Sequence, residues 1–154
     1  MTEEYERFLP DEAATMQLGR DLAKALHGSG HVWLKGDLGA GKTTLSRGML
    51  RELGHEGAVK SPTFTLVEPY DLAGGQVFHF DLYRLIDADE LEYVGIDDYF
   101  ARGNLCLVEW PEKADTRLPQ PDLVVALQLA GRARTARVTA VSVSGRSALE
   151  ALAG

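Results

Sequence analysis

Residues 31–53 run HVWLKGDLGAGKTTLSRGMLREL, a short apolar stretch, a glycine-rich loop and then a segment with helical spacing. Gly36, Gly41, Lys42 and Thr43 satisfy GxxxxGK[ST] without a mismatch, and Gly39 adds a further glycine inside the loop. Glycines let the backbone turn so that successive N–H groups point inward at phosphate oxygens, and the helix that follows adds the positive end of its dipole. Lys42 is placed to bridge the β and γ phosphates and the Thr43 hydroxyl to ligate Mg²⁺, while Leu38, Gly39, Ala40, Gly41 and Thr44 supply the cradle. The motif lies between a strand and a helix, the context it requires. It points to a nucleoside triphosphate and says nothing about the reaction.

Upstream, LPDEAATMQLGRDLAKALHG (residues 9–28) carries apolar residues at near-helical spacing, with Asp11 as N-cap and Gly28 as the stop. Downstream of the loop, Lys42 to Leu53 reads as a helix ending at Gly54. Residues 63–85, TFTLVEPYDLAGGQVFHFDLYRL, read as two strands joined by a turn at Gly74-Gly75, followed by an acidic helical segment from Asp87 to about Ala101. NLCLVEW (104–110) is a strand apolar on both faces, hence central. After a proline-bearing loop, LVVALQLA and ARVTAVSV make two more strands, and SALEALAG a short frayed helix. A strand–loop–helix phosphate unit mixed with hairpins predicts an α/β, P-loop NTPase-like single domain over residues 1–154, with a mixed β-sheet flanked by helices.

Composition narrows the class. With 154 residues, 45% hydrophobic and 25% charged, the chain matches one ordinary globular domain. No apolar stretch approaches the roughly 20 residues of a membrane span, and the acidic start MTEEYERF lacks the features of a secretory signal, so a cytoplasmic location with no membrane partner is expected. A net charge of −7 argues against a phosphate-tracking RNA surface. The one cysteine, Cys106, sits in an apolar run and reads as a packed side chain.

A phosphate loop of this type needs a carboxylate at the end of a neighbouring buried strand. Two fit: Glu109 ends LCLVE and Asp81 ends VFHFD. Alternation puts Leu105, Leu107 and Glu109 on one face, and His79, Asp81 and Tyr83 on one face of the other strand. Both carboxylates can project toward a common edge, and either can be a solvated strand-end acid. His79 reads as a packed or hydrogen-bonded histidine. SPT (61–63) lies about twenty residues beyond the loop, where switch proteins sense the γ-phosphate, and Thr63 is the candidate; a turn that simply starts a strand is the competing reading.

GDLGAGKTT, SPTFTLVEPY, FHFDLYRL, ELEYVGIDDYF and LVEWPEKA follow one another in this order, and with them the chain closely resembles the TsaE family, ATPases of bacterial tRNA threonylcarbamoyladenosine biosynthesis. HFDLYR and VEWPE at this spacing carry the specificity. The resemblance implies ATP and Mg²⁺ as ligands, Mg²⁺ contacts from Thr43 and Glu109, a role in hydrolysis for Asp81, and a switch role for the SPTF turn. It also implies nucleotide contacts near PDEA, assigned to Glu12, and near GRAR, assigned to Arg132. The implied partners are TsaD and TsaB, the pair that transfers the threonylcarbamoyl group, with tRNA reached only through that complex. Hydrolysis by the TsaE partner would reset or activate it between turnovers.

Three other functions share this loop. A GTPase has DxxG at Asp71–Gly74 but no NKxD guanine motif. A small P-loop kinase lacks an arginine-rich lid and spare length for an acceptor pocket. A non-catalytic ATP-gated adaptor fits the same residues. No arginine carries a motif that marks it as a charge-stabilising finger; Arg84 would point away from Asp81 if their strand continued.

Overall fold

The computed structural model describes residues 3–59, 62, 65–100, 103–114 and 116–154. Seven strands, β1 (Glu4–Leu9), β2 (Gly30–Lys35), β3 (Val67–Leu72), β4 (Gly75–Asp81), β5 (Leu105–Glu109), β6 (Leu123–Ala130) and β7 (Ala133–Ala140), form one sheet in the order β1-β7-β6-β2-β5-β4-β3. The inner strands β6, β2, β5 and β4 run parallel, and antiparallel pairing adds β7 and β1 on one side and β3 on the other. This is the expected mixed α/β sheet. β5 is central and buried along its whole length, as its two-faced apolar pattern requires.

Helices α1 (Glu12–Ala25), α2 (Lys42–Glu52) and α5 (Val143–Ala153) pack on one face against aliphatic side chains that include Leu18, Leu22, Val32, Leu34, Leu45, Met49, Leu107 and Leu149. Asp11 caps α1 by accepting from the Ala14 N–H at 2.8 Å. α1 and α2 meet through glycines. A Cβ on Gly48 would lie 2.1 Å from the Met16 carbonyl oxygen, and one on Gly19 would lie 2.2 Å from that of Leu45. Only hydrogen at both positions permits so close an approach. The other face carries Phe80, Leu82, Cys106 and Val108, covered by α3 (Glu90–Val94), α4 (Ile96–Tyr99) and a 3₁₀ turn at Pro111–Ala114. Phe78, Phe80 and Tyr99 meet edge-on there, while Phe80 stacks on Phe100.

Local structure adds to or changes the sequence reading in three places. The acidic start contains β1: Tyr5, Arg7 and Leu9 face inward, and Arg7 reaches Asp21 of α1 at 2.8 Å, so a charge occupies a position where alternation would look for an apolar residue. The segment after Asp87 forms two short helices, because Gly95 at φ +76° ends one and begins the next. The tail helix is eleven residues long, capped by the Ser142 hydroxyl and seated through Ala148 and Leu149. Cys106 is buried, donates to the Tyr99 carbonyl, and has its thiol pKa pushed up to about 12 by burial, which leaves it inert at neutral pH. Among the described residues no helix is long and apolar enough to cross a membrane.

Candidate functional site

Because β2, β5 and β4 are parallel neighbours, their C-terminal ends share one edge of the sheet, the place where open α/β sheets bind ligands. The glycine loop leaves β2 there. Glu109 is the last residue of β5 and Asp81 the last of β4, and the two are register partners on adjacent strands. Both alternate onto the face of Val77, Leu105 and Leu107, toward α2. Gly41, at φ +108°, turns the chain into α2 so that Lys42 and Thr43 open the helix at the same edge.

The result is a cavity of about 480 Å³ lined by the loop residues Leu38, Gly39, Gly41, Lys42, Thr43 and Thr44 and, opposite them, by Asp81, Tyr83, Arg84, Glu109 and Trp110. Lys42, Asp81 and Glu109 are each at least 95% buried. The Lys42 ammonium donates to the Gly36 carbonyl and lies 3.6 Å from the centre of the Trp110 ring. Burial lowers its pKa, while the negative field of Glu109 and Asp81 opposes that shift. Asp81 accepts through Oδ1 from the Tyr83 N–H at 3.0 Å, and Glu109 Oε2 lies 2.6 Å from His79 Nε2.

A second cavity adjoins the first across the loop, sharing Gly39, Gly41 and Thr44 with it. Asp11, Glu12 and Thr15 line one side and Arg132 and Arg134, from the β6–β7 turn, the other; Ala40 contributes from the loop. Glu12 and Arg132, far apart in sequence, therefore face one space. Glu12 also pairs with Arg47 of α2 at 3.4 Å, and Arg134 donates to the Gly39 carbonyl at 3.1 Å, tying that turn to the loop. Thr63 lies outside the described residues.

Among the lining residues that sequence reasoning does not assign to the site are Arg84, Trp110 and Arg134. Arg84 reaches the first cavity because β4 stops at Asp81, so the assumption of a continuing strand fails and the two side chains are not sent to opposite faces. Trp110 adopts φ +58° immediately before Pro111, a conformation disfavoured both for a bulky residue and for one preceding proline. That turn brings its ring over Lys42. The available signal is Trp-Pro at the exit of a buried strand. Arg134 offers no signal beyond its place in the GRAR turn.

A model described as "Threonylcarbamoyl adenosine biosynthesis protein TsaE" matches residues 9–138. The chain belongs to the TsaE family. The tRNA threonylcarbamoyladenosine biosynthesis protein TsaE of Haemophilus influenzae is 45% identical over 97% of this chain and 98% of its own length. Its counterpart in Synechocystis is 45% identical over 75% and 73% of the two chains, and that of Bacillus subtilis 43% over 64% and 61%. The crystal structure of Bacillus subtilis YdiB superposes with a TM-score of 0.81 at 29% identity, over 99% of this chain and 96% of that one. A fold shared over the full length places the phosphate loop of this TsaE chain in a family setting and agrees with a nucleotide-binding role.

Proposed function

We propose that the chain, acting over residues 1–154 as one domain, binds ATP with Mg²⁺ at the glycine loop and hydrolyses it in support of the TsaB–TsaD threonylcarbamoyl transferase that modifies tRNA. The observation that carries the reading is the meeting of Lys42, Thr43, Asp81 and Glu109 on one cavity from three separate parts of the chain. The loop N–H groups and the start of α2 receive the phosphates, and Lys42 exchanges the Gly36 carbonyl for charged phosphate oxygens. A threonine hydroxyl and one or two carboxylates form an all-oxygen donor set of the kind Mg²⁺ accepts, with water and phosphate completing its shell. Thr43 and Glu109 would hold the ion, which when bound neutralises charge on the phosphates. Asp81, fixed by the Tyr83 N–H, orients the attacking water, and Thr63 in the SPTF turn senses the γ-phosphate. Glu12 and Arg132, across the second cavity, receive the nucleoside side.

The net charge of −7 supports contact with tRNA only through the partners, and the fold and charge suit the cytoplasm. Phosphoryl transfer to water depends on placing the nucleophile and neutralising developing charge, and a cationic group supplied in trans is worth roughly 10³ to 10⁵ in rate. The isolated chain is therefore expected to be slow and to be accelerated in the complex. Phosphate release is measured for the chain alone, then with TsaB and TsaD added singly and together. Turnover that is fast alone and unaffected by either partner overturns partner dependence; tight ATP binding with no release in the full complex selects the ATP-gated adaptor instead. Lys42→Ala should abolish tight ATP binding in a folded protein. Glu109→Ala should raise the Mg²⁺ concentration needed for binding, whereas Asp81→Ala should chiefly lower turnover; the opposite pattern reverses their roles.

A further inference from the structure

His79 is completely buried, ionisable and unassigned to any step above, yet it touches a carboxylate of the site. It lies on β4 two residues before Asp81, on the same face, and its ring reaches across to β5 to meet Glu109. Of its two ring nitrogens, Nε2 is 2.6 Å from Glu109 Oε2, while Nδ1 is buried with no hydrogen-bond partner among the described residues. For the neutral ring this asymmetry favours the proton on Nε2. On Nδ1 it would leave a buried N–H without an acceptor and turn the Nε2 lone pair toward a carboxylate oxygen; on Nε2 it gives the carboxylate a donor and leaves only an unprotonated nitrogen unpaired.

We propose that His79 is a positioning residue: its Nε2–H holds Glu109 Oε2 and so aims the carboxylate at the cation of the nucleotide complex. The proposal rests on the reading of Glu109 as a Mg²⁺ ligand. A glutamate has three side-chain torsions, and the imidazole, completely buried inside the sheet, is a rigid partner that restrains them. Removing such an outer partner typically costs 10–100-fold in metal affinity while leaving the ligand itself in place. The bond also ties together the two strands whose last residues are Asp81 and Glu109, so the site's carboxylates share one frame.

The test compares His79→Gln, whose amide N–H can reach where Nε2 stands, with His79→Met, of similar length and without a donor. ATP affinity is measured by equilibrium binding as Mg²⁺ is titrated, and again in EDTA. His79→Met should raise the Mg²⁺ midpoint by about tenfold or more with metal-free affinity unchanged, and His79→Gln should restore the midpoint to near that of the parent. Combined with Glu109→Ala, His79→Met should add nothing further. Equal shifts in both variants, or a full additional loss on top of Glu109→Ala, would overturn the positioning role. If Glu109→Ala alone leaves the midpoint unchanged, the metal reading of Glu109 fails first, and that failure is recognised separately. Should His79→Met not fold, ¹⁵N NMR of the unaltered protein decides: the proposal requires the Nε2-protonated ring, with a resonance that moves as Mg²⁺ is added to the ATP complex, and an Nδ1-protonated ring refutes it.

Discussion

The two faces of the sheet are built differently. One is aliphatic and covered by three helices of eleven to fourteen residues; the other is aromatic and covered by helices of five and four residues and a 3₁₀ turn. On the aliphatic face α1 and α2 approach to backbone distance at Gly19 and Gly48, where no side chain stands between them to adjust. On the aromatic face contact is made largely by ring side chains, with Phe80 touching both Tyr99 and Phe100. The carboxylates Asp81 and Glu109 alternate onto the aliphatic face, whose covering helix α2 begins with Lys42. Precision at the glycine-loop edge of the sheet is thus tied to helix packing, while the aromatic face packs behind the sheet.

The largest expected effect tests that division from behind. Phe80 is fully buried, and Phe80→Ala should cost about 3–5 kcal/mol of unfolding free energy, since the stacked and edge-on rings leave a cavity that the short helices cannot fill. Urea unfolding measures the loss. ATP affinity of the fraction that remains folded should stay close to that of the parent. A collapse of affinity in the folded variant would show that the aromatic face shapes the site directly.

Gly48→Ala should do the reverse. Its Cβ would meet backbone, not a flexible side-chain end, so α1 and α2 must part, at a cost of about 1–3 kcal/mol. That is less than the Phe80 loss. Because α2 carries Lys42 and Thr43, and α1 contributes Glu12 and Thr15 to the second cavity, ATP binding should weaken more than in Phe80→Ala. Unfolding midpoints and ATP titrations on the two variants place stability and binding on separate axes; if both variants lose them in parallel, the faces are not distinct in function.

The two faces also differ in how much of them is legible in the sequence. The aliphatic face was legible because its signals are local and periodic: the glycine motif, the helical spacing of α1 with Asp11 as cap, and the two-faced apolar run of β5. Asp81 and Glu109 are legible as strand-end acids that can share an edge, and the parallel β4–β5 register that pairs them is what sends both to one side. β1 escaped because Arg7 points inward and finds its partner, Asp21, only once α1 is folded against it. Arg84 was turned the wrong way because nothing local says that β4 ends at Asp81. Trp110 depends on a backbone conformation that its own residue type disfavours, and such a conformation is held by surroundings, not by propensity. The joining of Glu12 to Arg132 came from family resemblance, as no periodicity links a helix start to a hairpin turn far along the chain.

The smallest expected effect lies at β1, where two arginine–carboxylate pairs compare inward and outward charge. Arg7 and Asp21 are each about three-quarters buried and bonded at 2.8 Å, whereas Arg137 and Glu6, at 3.0 Å, are more than half exposed. Solvent screens the outer pair, so Arg137→Ala should cost about 0–1 kcal/mol. Arg7→Ala should cost more, about 1–3 kcal/mol, because it leaves a partly buried carboxylate short of a charged donor. The pH dependence separates them further. Burial acts to raise the Asp21 pKa, but hydrogen bonds from Arg7 and Gln17 outweigh it, and the net shift is downward from 3.8. A carboxyl group depressed in the folded state contributes stability that is complete above its unfolded pKa and is lost as pH falls through its folded value. The difference between the parent and Arg7→Ala should therefore be full at pH 6 and shrink below about pH 4, while that for Arg137→Ala stays small throughout. Urea unfolding at pH 6 and pH 3 measures both. A gap for Arg7→Ala that does not shrink in acid would show that its guanidinium acts by packing against Tyr5 and not through Asp21.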